Sequence, residues 1–298
     1  MCTVVTLGAQ QLFGRTMDFP PRTPWHLTYV PPEYTWRAAE MADDICNRHA
    51  ILGGMRVVDD HYLVGDGLND AGLACAELFF PVAATYPDAV RPGTLGLTPQ
   101  DFIMWVLGRH GSVAEVAAEL NRVTVIDARW YDQQRYPFHW LLMDRTGTYI
   151  IEPLGDHLQV RANPLAVFTN TPALDDQLER LARFLHLPET ATVATLTKAI
   201  GTTEQAAPRG GNSVQRFIQA ALWRWRHPQA TSDELLGFLK SVTVPQVPEH
   251  AHNYTHYRMI MDLNAQRYDF HDLHSGQLVS QRLPDLMRQF PHSPYRFE

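Results

Sequence analysis

The second residue of the chain is a cysteine, and Thr3-Val4-Val5-Thr6-Leu7 follows it. One reading of Cys2 is plain: a small apolar side chain at the start of a buried strand. The other is chemical. Cysteine is small enough for the initiator Met1 to be removed, which leaves Cys2 with a thiol and a free α-amine on one residue. An α-amine titrates near ~8 and a free thiol near ~8.5, so nucleophile and base would share one place, as in the known pairing of a threonine with its N-terminal amine. Such a nucleophile needs a charge to hold the thiolate, a group to fix the amine, and donors for an oxyanion. Phe13-Gly14-Arg15-Thr16-Met17-Asp18-Phe19 lies one hairpin turn away. If Gln10-Gln11 reverses the chain, Arg15 returns beside the thiol as its cation and Asp18 beside the amine as its acceptor. Read one at a time, these two residues are an exposed arginine and a turn aspartate.

The elements that must hold these groups follow from pattern. β-type runs dominate the first third: Thr3 to Leu7, Gln11 to Phe19 and His26 to Val30, with prolines between them. Asn47 to Val64 reads as strand broken by Gly53-Gly54 and Asp59-Asp60, and Leu73 to Phe80 is nearly all apolar. Thr98-Pro99-Gln100-Asp101 offers a helix start with Phe102, Trp105 and Val106 behind it, and Ser112 to Glu115 is a capping box. Phe138 to Met143 and Thr148 to Ile151 form a hairpin around Asp144 to Gly147, with further strands at 158–160 and 165–169. Leu174, Leu178, Leu181 and Leu185 mark a helix, Ala206 to Gly211 a loop, Ser213 to Trp225 a helix, and Thr231 to Glu234 the cap of another. Tyr254 to Asp262 and Gln266 to Phe270 close the chain as strands. Strands in two blocks with helices between them predict an α+β layered fold in one domain, residues 2–298.

Composition narrows the partners. Lys plus Arg is 25 against 32 Asp plus Glu, a net charge of −7, so no whole-molecule field draws nucleic acid or anionic lipid. Lys198 and Lys240 are the lysines, which makes nearly all positive charge arginine, the cation suited to fixed bidentate contacts. Cys2, Cys46 and Cys75 are too few for a disulfide scaffold and fit a reducing compartment. No apolar run approaches the ~20 residues of a membrane span, and the first residues have no signal-peptide character. The expectation is a cytoplasmic enzyme.

Met1-Cys2-Thr3 followed by Gly14-Arg15-Thr16-Met17-Asp18-Phe19 resembles the start of the choloylglycine hydrolase family, the penicillin V acylases and conjugated bile salt hydrolases among the N-terminal nucleophile hydrolases. Asp66-Gly67-Leu68-Asn69-Asp70-Ala71-Gly72-Leu73, Val167-Phe168-Thr169-Asn170-Thr171-Pro172 and Ser213-Val214-Gln215-Arg216-Phe217 resemble further family segments, in order along nearly the whole chain. The resemblance implies a four-layer αββα sandwich, two antiparallel sheets between helical layers. It implies Cys2 as nucleophile and, through its amine, base; Arg15, Asp18 and Arg216 as its polar surround; and Asn170 as a side-chain oxyanion donor. The second donor is a backbone N–H that maps to Phe79, where bile salt hydrolases tend to carry Asn and penicillin V acylases Tyr. A backbone donor survives that change. Segment 80–99 is closer to the penicillin V acylases, and a homotetramer without cofactor is implied.

Residue types suggest an apolar acyl pocket built from Met17, Phe19, Phe79 and Phe80, with Asn69 either touching substrate or fixing a local turn, and Asp66-Gly67 read as a turn dipeptide. Bile salt conjugates and N-acyl homoserine lactones are the alternative substrates. A non-catalytic binding protein on the same fold, with Cys2 as mere core, is the alternative class. His250, His252 and His256 have the His-x-His look of a metal cluster or of a solvent-facing hairpin; the expectation is no metal.

Overall fold

The computed structural model describes residues 2–20, 24–155, 157–250 and 253–298; Met1 and His252 lie outside them. In chain order the strands are β1 (Thr3–Leu7), β2 (Leu12–Phe19), β3 (His26–Val30), β4 (Thr35–Arg37), β5 (Asp44–Cys46), β6 (Ile51–Val58), β7 (His61–Asn69), β8 (Ala74–Phe79), β9 (Leu95–Leu97), β10 (Val123–Val125), β11 (Phe138–Asp144), β12 (Gly147–Ile151), β13 (Val160–Ala162), β14 (Val167–Thr169), β15 (Tyr254–Asp262), β16 (Arg267–Asp272), β17 (Leu278–Arg282) and β18 (Tyr295–Arg296). The helices are α1 (Phe102–Arg109), α2 (Val113–Glu119), α3 (Leu174–Phe184), α4 (Val193–Thr202), α5 (Ser213–Arg226), α6 (Ser232–Ser241) and α7 (Leu283–Gln289).

Two large antiparallel sheets carry the fold. One runs β14-β1-β2-β15-β16-β17, and the other β13-β12-β11-β8-β7-β6-β3-β18. Their inner faces meet through aromatic and charged side chains alike. His139 of β11 packs on Phe168 of β14 with ring centroids 4.2 Å apart, and Tyr257 and Tyr268 of the first sheet reach Asp66 of the second. Helices α5 and α6 cover the outside of the first sheet and α1 the outside of the second. This is the expected α+β sandwich of two sheets between helical layers.

The first hairpin forms where the β-branched runs place it. Gln11 takes the left-handed conformation (φ 56°) and its N–H returns to the Gly8 carbonyl, so Thr3 pairs with Thr16 and Leu7 with Leu12. On its other side β1 pairs with β14, Thr3 opposite Thr169. Caps work locally as read: Thr231 and Glu234 make the reciprocal box of α6, and Ser112 accepts from the Glu115 N–H while the Glu115 carboxylate reaches Gly111 rather than Ser112.

Three readings are corrected. Gly53-Gly54 does not break a strand but sits inside β6, because a side chain there has no room: a Cβ at Gly53 would fall on the Asp66 carbonyl and one at Gly54 on the Tyr257 ring. Asp66-Gly67 is likewise interior to β7, and the chain turns after it, at Gly72 with φ 88°. The helix expected from Thr98 begins at Phe102; Thr98 and Asp101 instead close a turn, with both the N–H and the hydroxyl of Thr98 donating to the Asp101 carboxylate. No helix among the described residues is long and apolar enough to cross a membrane.

Candidate active site

Cys2 is buried at the head of β1. One step beyond the Thr3–Thr16 and Thr3–Thr169 pairs, it lies level with Met17 on one flanking strand and Asn170 beside the other. Strand alternation then divides its neighbours. Arg15, Met17 and Phe19 project from β2 into the space between the sheets, whereas Asp18 projects toward the helices.

On the inner side Arg15 is fully buried and divides its guanidinium among several acceptors. Nη2 donates to Cys2 Sγ at 3.3 Å, to Met17 Sδ at 3.6 Å and to the Glu77 carbonyl; Nη1 donates to Asp66 Oδ2 at 2.9 Å and to the Gly65 carbonyl. Burial works against this cation, but Cys2 and Asp66 outweigh it and hold its pKa above the ordinary arginine value. Asp66 in turn accepts from both tyrosine hydroxyls, Tyr257 at 2.6 Å and Tyr268. Burial pushes the Glu77 carboxyl well above the usual carboxylate range, against Arg15 and with the Cys2 and Asp66 charges adding.

On the outer side Asp18 meets α5. Its Oδ2 accepts from Arg216 Nη1 at 3.0 Å, its Oδ1 from the Thr255 hydroxyl, and its main-chain carbonyl lies 3.6 Å from the Cys2 thiol. Arg216 also donates to Thr3 Oγ1 at 2.9 Å. Burial pulls the Arg216 pKa down, opposed by Asp18 and Cys2. Arg15 and Asp18 thus contact Cys2 from opposite faces of β2, and Arg216 reaches its surroundings through Asp18 and Thr3.

The candidate oxyanion donors stand at the strand ends next to it. Asn170 is held by its main chain: its carbonyl accepts from Ser213 Oγ at 2.8 Å and Gln177 Nε2 at 3.3 Å. No described residue bonds its side-chain oxygen, although that oxygen is buried. Phe80 N–H donates to the Pro137 carbonyl, so Phe79 and Phe138 form the intervening non-hydrogen-bonded pair of the ladder and the Phe79 N–H points away from β11. The Phe79 carbonyl, turned the same way, accepts from Thr171, the residue after Asn170.

The pocket residues fare unevenly. Met17 and Phe19 are buried in a cluster over Gly65, where Phe19 meets Trp25 edge-on (centroids 5.4 Å, 84°) and lies 5.2 Å from Tyr136, with the Arg56 guanidinium 5.3 Å above its ring. A Cβ on Gly65 would strike Met17 and Trp25. Phe79 is 40% exposed, but alternation sends Phe80 to the opposite face, where it is fully buried and stacked on His139 at 4.2 Å. Phe80 is thus core, not pocket. Asn69 is corrected too: its amide donates to the carbonyls of Leu107 and His110 and accepts from the N–H groups of Ala71 and Leu73. It ties the end of β7 to α1. Asn69→Ala should cost roughly 2–3 kcal/mol of stability by orphaning buried main-chain groups, with kcat per folded molecule unchanged; a fall in kcat at full folding would return it to the substrate.

Cys75 is buried, and burial pushes its thiol up, as suits an inert core cysteine. His256 bonds the Phe19 carbonyl at 2.8 Å and stacks on Tyr254, while His250 is exposed on a short turn. Among the described residues no three potential ligands come together as a metal site. Asp66, Glu77, Thr255, Tyr257 and Tyr268 escaped the sequence reading as site residues.

Two antiparallel sheets between helices, with a buried cysteine heading the first strand, make this an N-terminal nucleophile hydrolase fold. More narrowly, the chain belongs to the choloylglycine hydrolase family of linear amide C–N hydrolases, whose model matches residues 2–287, and it is a hydrolase of linear amides. It is 26% identical to a bile salt hydrolase/transferase of Lactiplantibacillus plantarum over 94% of this chain and 91% of that one. A bile salt hydrolase/transferase of Clostridium perfringens is 28% identical over 75% of this chain and 72% of its own. In structure it resembles conjugated bile acid hydrolase from Clostridium perfringens (TM-score 0.84, 21% identity, 100% and 97% of the chains covered). Penicillin V acylase from Agrobacterium tumefaciens is also similar (TM-score 0.75, 18% identity, 99% and 90% covered).

Proposed function

We propose that the chain, with Met1 removed, hydrolyses an N-acyl amide of the penicillin V type through Cys2 and a thioester. The observation that carries this is the 3.3 Å contact between Cys2 Sγ and an arginine itself anchored on buried Asp66. The thiol proton passes to the Cys2 α-amine, and the thiolate attacks the amide carbon while Arg15 balances its charge. Asn170 Nδ2 and the Phe79 N–H donate to the oxyanion. Collapse breaks the C–N bond, the α-ammonium protonates the departing amine, and water then hydrolyses the thioester. Arg216, through Asp18, holds the amine in place.

A compact aryl acyl group is what this reading favours, since Met17, Phe19 and Trp25 pack closely over Gly65 on the Cys2 side of the sheet and leave little room for a bulkier one. Bile salt conjugates are the second reading, favoured by the names of the curated relatives. kcat/KM on penicillin V against a glycine-conjugated bile salt ranks the two; a ratio favouring the bile salt tenfold or more overturns the first. Residues 2–298 form one catalytic domain in this reading, with C-terminal β18 paired to β3; a homotetramer in the cytoplasm belongs to it, for which light scattering should give a tetramer mass and fractionation the cytoplasmic fraction.

The oxyanion assignment has its own test. Asn170→Ala should lower kcat by roughly 10²–10³ with the fold intact, the usual loss for one such donor. Phe79→Pro, which deletes the N–H, should do the same, while Phe79→Ala, which keeps it, should not. Equal kcat for the Pro and Ala variants removes the Phe79 N–H from the mechanism.

A further inference from the structure

A cavity of about 940 Å³ lies not over the Cys2 sulfur but in the helical layer, between α5, α6 and the residues Thr243, Val244, Pro245, His250 and Asn253. Its volume is that of a small-molecule site. Among the described residues its charged lining is arginine, Arg209 and Arg226 together with Arg216, which is paired with Asp18, and no Asp or Glu lines it. Its floor is aromatic, with Trp223 and Phe238 stacked at 4.8 Å and 20°.

The backbone that carries one cation and the guanidinium of another are set in place beforehand. Gln219 Nε2 donates to the carbonyls of Pro208 (2.8 Å) and Gly210 (3.0 Å) and so fixes the loop that carries Arg209. Arg226 Nη2 donates to the carbonyls of Thr203 (3.0 Å) and Gln205 (2.9 Å), which orient the guanidinium without cancelling its charge. Holding like charges around an apolar floor disfavours the empty site, and the cost of ordering side chains on binding is already met. At the inner end Arg216 links the cavity to Asp18 and Thr3.

We propose that this cavity is a second binding site, separate from the space over Cys2, for an amphipathic organic anion: a carboxylate or sulfonate on a flat apolar body of about two fused rings. The rings lie on Trp223 and Phe238, and the anionic group meets Arg209 and Arg226. The site does not depend on Cys2 acting as nucleophile.

Calorimetric titration of the full chain with 2-naphthalenesulfonate tests it, with neutral 2-naphthol as comparator. Saturable one-to-one binding is expected, weaker for the neutral compound by roughly tenfold, the worth of a charge-assisted contact. Arg209→Glu, at an exposed position, should weaken the anion by a similar factor and leave the comparator unchanged; Arg226→Gln should act in the same direction. Alkylating Cys2 with iodoacetamide should leave the binding in place. Equal affinity for anion and neutral compound, indifference to Arg209→Glu, absence of saturable binding, or loss on alkylation each overturns the proposal, the last because it would put the ligand over the sulfur.

Discussion

Cys2→Ser should lower amide hydrolysis by roughly 10⁴–10⁶-fold, the scale on which removal of an enzyme nucleophile falls. Serine keeps the shape and the α-amine, and the strand pairs through Thr3 stay as they are. What changes is acidity. A hydroxyl gives up its proton far less readily than a thiol, and an α-amine that activates a hydroxyl in sites built for one meets here a site arranged around a thiolate. Arg15, which donates to the sulfur at 3.3 Å, is suited to a thiolate it can balance as a charge, not to a neutral hydroxyl. Single-turnover kinetics with intact-mass measurement separates the outcomes: wild type should show an acyl adduct on the first residue and Cys2→Ser should not. Protein that keeps Met1 should be equally inactive, because an amide nitrogen cannot accept the proton. Activity in a preparation whose mass still includes Met1, or turnover by Cys2→Ser within tenfold of wild type, would end the N-terminal nucleophile reading and place the attacking group elsewhere in the chain.

The parts of this site that the sequence made legible are local ones. Cys2, Arg15 and Asp18 belong to one hairpin, and a hairpin is readable from β-branched runs around a turn. Asn170 and Arg216 came from segment likeness, and the structure seats both beside that hairpin. The groups that steady Arg15 were not legible, since Asp66, Tyr257 and Tyr268 come from separated strands of both sheets. Asp66 sits in an apolar strand buried on both faces, where period-2 alternation carries no signal. The same cause misled at Gly53-Gly54, whose pattern says turn while the close approach of β7 and Tyr257 demands glycine within a strand. Helix α4 went unread because Leu196 and Ile200 are its buried residues, too short a stripe to show a period. Phe79 and Phe80 illustrate the limit from the other side: composition offers two adjacent aromatics for a pocket, but alternation leaves one 40% exposed and buries the other.

Asp66→Asn should cost about 3–5 kcal/mol of stability, because it leaves the buried Arg15 cation without its carboxylate. For a chain of this size class that is a fall in Tm of roughly 10 °C. Asn keeps the volume, and an amide oxygen can still accept from Tyr257 and Tyr268, so the loss isolates the charge pair rather than the cavity. Activity should fall with it: an Arg15 no longer fixed at 2.9 Å on Asp66 has less to hold it against Cys2 Sγ. The double variant Arg15→Met, Asp66→Leu discriminates between a structural and a chemical role. Replacing both members of a buried pair by apolar groups is often neutral for stability, so the double variant should recover much of the lost Tm while remaining inactive, and the cycle should show strong coupling between the two positions. If the double variant regains activity along with stability, Arg15 is a packing element and the thiolate is held by something else. If Asp66→Asn leaves Tm within about 1 °C of wild type, the pair is not what anchors the guanidinium, and Gly65 and Glu77, whose carbonyls accept from the same arginine, must carry it instead.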